Sequence, residues 1–155
     1  MELKTKVHAE DGKQDLVMTR EFDLPVELLF KAFEEPHLVE QWRGTKAKKF
    51  EPRKYGGYEA ESTDAKGNIV FKVHGIFHDF IPNRKIIRTF EVENSPMGVM
   101  LEIYDFEKLT DDTSKLTVHT IFESVAIRDK VLKMPNDQGM EAAFNKLEEI
   151  MSKQK

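Results

Sequence analysis

Four side chains in the middle of this chain have types and spacings that could support chemistry in one place: His74, His78, Arg88 and Glu102. Imidazole titrates near neutral pH, so a histidine can move a proton or ligate a metal. Metal ligands must converge at about 2.0 Å, whereas four residues of extended chain hold His74 and His78 roughly 13 Å apart. His8, His37 and His119 show no ligand spacing either, so neither a metal nor a cofactor is expected. Around the central pair, Phe71 and Val73 alternate in odd register, and Ile76 and Phe80 in even register. A bulge at His74-Gly75 would reconcile the two, because one extra residue flips which parity faces inward. His78 would then share the inner face with Ile76 and Phe80. The plainer alternative leaves both imidazoles at the sheet surface or against neighbouring carbonyls, and it carries more weight.

In the next two segments, a turn centred near Ser95 sets Arg88 opposite Glu102, a favourable cross-strand pairing of charges. Facing inward, the pair could orient a carboxylate or another polar group on a ligand. Facing outward, it is an ordinary surface ion pair worth at most about 1 kcal/mol. Val99, Leu101 and Ile103 on one parity and Met100, Tyr104 and Phe106 on the other are both apolar, which leaves both orientations open. The same two-sidedness favours a partner or a dimer on the outer face. No nucleophile elbow, HExxH, phosphate loop or dinucleotide fingerprint occurs, and Glu59, Asp79, Asp105 and Glu107 add carboxylates without forming a constellation. No catalytic residue is assigned.

The elements that must position these groups read as strands, then helices. Residues 3–10 and 15–22 are strand segments around Asp11-Gly12, either a hairpin or one interrupted strand. Asp23 is a candidate N-cap for a helix with Pro25 early in it and an apolar face of Leu28, Leu29, Ala32 and Phe33. Glu34-Glu35-Pro36 breaks that helix. A second short one carries Leu38, Val39 and Trp42 and stops at Gly44. Strands follow over 47–53, 58–64, 69–81, 85–92, 98–109 and 115–122. Tyr55-Gly56-Gly57-Tyr58 offers two glycines free to take positive φ. From Val125 the apolar period becomes helical, with Met140, Ala143, Phe144, Leu147, Ile150 and Met151 on one stripe, and Asn136 or Asp137 available to cap the long final helix after Pro135. A long antiparallel meander plus one helix with a single apolar stripe predicts an α+β sheet-and-helix sandwich, in one domain over residues 1–155.

Arg20, Phe22, Asp23, Pro25, Phe33, Pro36, Leu38, Trp42 and Gly44 carry a resemblance. So do Arg53 with Gly56 and Gly57, then Gly75, Pro82 and Arg84, Phe106 and Glu107, and finally Gly139, Met140, Phe144 and Leu147. In this order the chain resembles the family of proteins similar to the C-terminal domain of the activator of Hsp90 ATPase, within the START and Bet v 1-like (SRPBCC) superfamily. The resemblance implies a helix-grip fold: a curved antiparallel sheet wrapped around a long C-terminal helix, with two short helices after the first strand and a cavity between sheet and helix that takes apolar small molecules. The residues expected to line it are Trp42, Phe71, Val73, Ile76, His78, Phe80, Arg88, Phe90, Glu102, Tyr104, Met140 and Phe144. Trp42 would either gate the cavity mouth or, as a lone tryptophan more often does, anchor the helix pair to the sheet. Methionine, which adapts to varied shapes, suits a promiscuous pocket. Arg43 departs from the family, which frequently has a second tryptophan there.

Composition narrows the remaining choices. A net charge of −4 with 34% charged residues argues against general attraction to nucleic acid or anionic membrane. The one basic cluster, Arg43, Lys46, Lys48, Lys49, Arg53 and Lys54, is interrupted by Glu51 and reads as a solvated strand face. Cysteine is absent, which excludes disulfides, thiolate metal sites and cysteine nucleophiles. The opening MELKTKVHAEDGK lacks the apolar core of a signal peptide, and no run reaches membrane-spanning length, so a cytoplasmic monomer or weak dimer is expected. The leading expectation is non-enzymatic binding of a small hydrophobic or amphipathic ligand, with a carboxylate or similar polar end. The second is a stress-related co-chaperone touching an Hsp90-type ATPase, set behind because the named activator has a separate N-terminal domain that this sequence does not show. The third is a cavity enzyme of cyclase or hydrolase type using His78, Arg88 or Glu102.

Overall fold

Strict alternation along SKLTVHTI buries Ser114, Leu116, Val118 and Thr120 and leaves the residues between them half-exposed, the signature of a strand with one face on the core. The computed structural model describes residues 3–134 and 136–155, with backbone only for 136–138. Among these residues, one curved antiparallel sheet is built from β1 (Lys6–His8), β2 (Asp15–Phe22), β3 (Lys46–Phe50), β4 (Gly57–Thr63), β5 (Ile69–Ile81), β6 (Lys85–Val92), β7 (Val99–Lys108) and β8 (Ser114–Ile121). Their order across the sheet is β1-β2-β8-β7-β6-β5-β4-β3. The helices are α1 (Val26–Glu34), α2 (Pro36–Arg43), α3 (Val125–Lys133) and α4 (Asn136–Ser152). Residues 3–22 form a hairpin, with β1 only three residues long and paired to Val17–Thr19, so the two short helices follow the second strand rather than the first.

The helix pair forms as the local signals require, with one exception. Asp23 does not cap α1: Pro25 takes the N-cap position without a side-chain bond, and the Asp23 amide instead donates to Glu148 Oε1 at 2.6 Å, tying the loop to α4. Glu35, which precedes Pro36, is extended at φ −97° and ψ 121° and ends α1, as the proline ring demands of the residue before it. Gly44 closes α2 in the left-handed region at φ 71°. Val26, Leu29, Phe30, Ala32 and Phe33 of α1 are buried, and the α4 stripe buries Phe144, Leu147 and Met151 against them and the sheet. Pro135 and the side chains of Asn136 and Asp137, the expected caps of α4, lie outside the described residues.

The parity flip in β5 is present, but not where the glycine suggested. Pairing with β6 keeps one register from Val73↔Val92 to Phe77↔Arg88 and shifts by one between Phe77 and Asp79, so the bulge residue is His78. Gly75 serves a different purpose. Tyr58 crosses its inner side to donate to the Thr89 carbonyl, and a Cβ at Gly75 would lie 1.9 Å from that oxygen and 2.6 Å from Tyr58 Oη. In the β3–β4 turn, Tyr55 takes the positive φ of 68°, not Gly56 or Gly57. Gly56 is needed for close approach instead, since its Cβ would meet the Glu51 carbonyl at 2.2 Å.

Candidate functional site

Arg88 stands on the inward parity of β6 between Ile86 and Phe90, directly opposite Glu102 on β7. Its guanidinium is buried among three rings, 4.8 Å from the Tyr58 centroid, 5.2 Å from Tyr104 and 5.3 Å from Phe90. Nε donates to Glu102 Oε1 at 2.8 Å and Nη2 to Tyr104 Oη at 3.0 Å. The Tyr104 hydroxyl in turn donates to Glu102 Oε1 at 3.1 Å and accepts Arg43 Nη2 at 3.4 Å from α2. Burial works against the charge on Arg88, but the Glu102 carboxylate at 2.8 Å outweighs it and holds the guanidinium protonated. Burial also raises the Tyr58 and Tyr104 phenols well above their usual range, so both stay neutral donors. Of the two orientations open to the Arg88–Glu102 pair, the inward one is realised.

Beside this cluster lies a cavity of about 270 Å³, bounded by α2, the β3–β4 edge of the sheet, β5, β6 and the first turns of α4. At roughly 30 Å³ per water it holds the volume of about nine waters, near the lower end of small-molecule sites. It exists because small side chains face one another where large ones would fill the gap: Ala47, Ala60, Gly139 and Ala143 line it. Further along α4, Phe144, Leu147 and Met151 close the space completely. A second recess of about 20 Å³, room for one water, lies among Phe33, Val39, Arg43, Phe50, Phe77, Ile86, Arg88 and Tyr104. Arg43 and Arg88 line both spaces.

Six of the twelve expected lining residues surround the larger cavity: Trp42, Phe71, Val73, Arg88, Phe90 and Met140. Tyr104 borders the small recess, and Glu102 stands behind Arg88 as its counter-charge. Phe80 packs edge-on against Phe30 and Phe77, and Phe144 against Phe22, both within the filled core. Ile76 and His78 are corrections. Ile76 precedes the bulge on the outward parity and is 47% exposed, and His78, as the bulge residue, is exposed too. His74 faces Glu91 on the outer surface at 3.1 Å. The third expectation thus loses its histidine, since none lines the cavity among the described residues. Trp42 is buried and ties α2 to α1 rather than to the sheet: its Nε1 donates to the Ala32 carbonyl at 2.8 Å, and its ring meets Phe33 edge-on.

Among the lining residues that the sequence did not single out as such, Tyr58 and Arg43 carry polar contacts. Tyr58 sits on the inward parity of β4 with Ala60, a period-2 signal that was available, and Arg43 follows Val39 by four residues on α2. The basic cluster beyond Arg43 is a solvated face, with Lys48 paired to Glu61 and both Lys49 and Arg53 paired to Glu51.

Residues 23–152 match the family model described as Activator of Hsp90 ATPase homolog 1-like protein. The chain belongs to this family. Solved structures of the same fold include proteins from Rhodobacter sphaeroides (20% identity, 96% of this chain and 99% of that one, TM-score 0.84) and Arthrobacter aurescens (18%, 96% and 91%, 0.83). Another comes from Mycobacterium smegmatis (18%, 94% and 94%, 0.81). At these identities the likeness concerns the fold alone, a curved antiparallel sheet packed against a C-terminal helix. No curated protein matches the chain. Among the described residues no helix is long and apolar enough to cross a membrane. For this activator-of-Hsp90-ATPase-like chain, the family name gives the architecture, and the cavity lining has to supply the chemistry.

Proposed function

We propose that this chain works as one non-enzymatic binding unit over residues 1–155, holding a small hydrophobic or amphipathic molecule between the sheet and α4. The observation that carries the reading is the cavity of about 270 Å³, walled by Phe71, Val73, Phe90, Met140 and Trp42 and edged at one side by Arg43 and Arg88. Apolar walls with a few convergent polar groups are what a small-molecule site requires. Met140 can adjust to occupants of different shape. A cytoplasmic monomer or weak dimer in a stress-related process is the setting that fits this reading.

The test is a thermal-shift panel of fatty acids, flavonoids and isoprenoids. A ligand present at 100 times its Kd stabilises the native state by about 2.7 kcal/mol, which for a domain of this size raises Tm by roughly 5–10 °C. A midpoint that ignores the whole panel would overturn the reading. A second reading, regulation of an Hsp90-type ATPase, draws on the family description and on the outer sheet face, where Ile76, Val99 and Leu101 are 47%, 41% and 36% exposed. It fails if the purified protein leaves Hsp90 ATPase turnover unchanged.

A further inference from the structure

We infer that the cavity takes an amphipathic monoanion, a small carboxylic acid with an apolar body, and that Arg43 receives its carboxylate; this rests on the cavity reading and narrows it to a ligand class. Two guanidinium groups touch a single phenol oxygen, Arg88 at 3.0 Å and Arg43 at 3.4 Å, and so sit side by side. One carboxylate answers them, Glu102, and it is bound by Arg88 Nε at 2.8 Å. Among the described residues no carboxylate lies within ion-pair distance of Arg43.

The remaining acidic residues that line the cavity, Glu40 and Glu59, make no ion pair with Arg43. Glu40 accepts the Ala47 amide at 2.6 Å, closing the corner between α2 and β3. Glu59 is exposed, on the outward parity of β4. At the phenol itself stand two cations and one anion, with Glu40 one turn of α2 before Arg43 and turned to the Ala47 amide, beside a space walled largely by apolar side chains. A bound monoanion would give Arg43 the partner that none of these carboxylates provides.

The donors are arranged for that role. Arg88 has committed Nε to Glu102 and Nη2 to Tyr104, whereas Arg43 uses only Nη2, and that bond is long. Arg43 keeps Nε, Nη1 and the second Nη2 hydrogen uncommitted, so one edge of the planar fork, Nη2 with Nε or with Nη1, is left to match the two oxygens of a carboxylate. Its guanidinium carbon lies 4.5 Å from the centre of the Trp42 ring, and Trp42 is itself fixed by its bond to Ala32. The recess of about 20 Å³ between Arg43, Arg88 and Tyr104 accommodates one oxygen atom or the water that replaces it. The apolar body then occupies the larger cavity against Phe71, Val73, Phe90 and Met140.

The experiment compares three ten-carbon probes, decanoate, 1-decanol and decylammonium, by calorimetry on the wild-type protein, Arg43→Gln and Arg43→Lys. Wild type should bind decanoate at least about 10-fold more tightly than decanol, the return of one charge-assisted hydrogen-bonded contact, and decylammonium more weakly than either. Arg43→Gln should bring the decanoate-to-decanol ratio to within about twofold of one, with an unchanged circular dichroism spectrum. Should Arg43→Gln fold poorly, Arg43→Lys carries the test: a point charge without the fork should leave a ratio above one but several-fold below wild type. Equal wild-type affinity for decanoate and decanol, or a preference that survives Arg43→Gln, would overturn the assignment while leaving the cavity reading in place. If none of the probes and none of the wider panel binds, the cavity reading falls and this inference with it.

Discussion

Glu102→Gln is the sharpest single perturbation of the site. Glu102 Oε1 serves Arg88 Nε at 2.8 Å and the Tyr104 hydroxyl at 3.1 Å, in a pair whose side chains are only 11% and 14% exposed. The amide keeps the shape and removes the charge. Arg88 is then a buried cation without a counter-ion, beside Arg43 on the same phenol. Breaking one partner of a fully buried pair costs about 3–5 kcal/mol; some water reaches Glu102, which brings the expected loss to about 2–3 kcal/mol. At about 2–4 °C per kcal/mol for a domain of this size, Tm falls by roughly 4–12 °C. The double variant Arg88→Met with Glu102→Leu removes both charges, and apolar replacement of a buried pair is often close to neutral, so it should stay within about 1 kcal/mol of wild type. Urea unfolding, followed by the fluorescence of Trp42 and by circular dichroism, measures both. A Glu102→Gln variant within about 0.5 kcal/mol of wild type would refute the burial argument, as would a double variant less stable than the single.

Two further perturbations test the frame around the site. Gly75→Ala places a Cβ 1.9 Å from the Thr89 carbonyl, a backbone atom that cannot swing away, so a loss above about 3 kcal/mol or failure to fold is expected. Adding Tyr58→Phe relieves only the second clash and should not rescue it; a soluble Gly75→Ala protein of near wild-type stability in urea would contradict this geometry. Burial would raise the Glu141 carboxyl, but the amides of Lys4 and Thr5, the Thr5 hydroxyl and Arg20 outweigh it and hold its pKa below the ordinary value. A carboxyl depressed in the folded state contributes stability above its unfolded pKa of about 4.3 and loses it as the pH falls through the folded value. Glu141→Gln should therefore be less stable than wild type at neutral pH and lose less on acidification to about pH 3, and parallel Tm curves for the two proteins would refute the assignment.

Much of the frame was legible because alternation and turn residues agree. Strands β2, β5 and β6 begin and end where the period-2 runs meet Asp23, Pro82-Asn83 and the Asn94 turn. What escaped was decided by contacts between distant segments. The flip of parity in β5 was visible in Phe71, Val73 and Phe80, but the glycine that drew the bulge to itself is there to let Tyr58 pass, a demand set from β4 and β6. Moving the bulge from Gly75 to His78 sends Ile76 and His78 outward. Asp23 looked like a cap because nothing local revealed that Glu148, 125 residues later, would claim its amide.

The direction of the Arg88–Glu102 pair could not be settled from alternation, because β7 is apolar on both parities and periodicity then carries no information about which side is the core. What settles it is a set of neighbours brought by three other segments: Tyr58 from β4, Tyr104 from β7 and Arg43 from the last turn of α2. Arg88, Glu102 and Tyr104 alone make a nearly neutral, self-satisfied cluster against an apolar space. Arg43 adds a cation that has no ion-pair partner among the described residues. On this argument the sheet and α4 determine that a cavity exists, and the final turn of α2 determines its charge. A tryptophan in place of Arg43 would leave the ion pair intact and the preference for an anion gone.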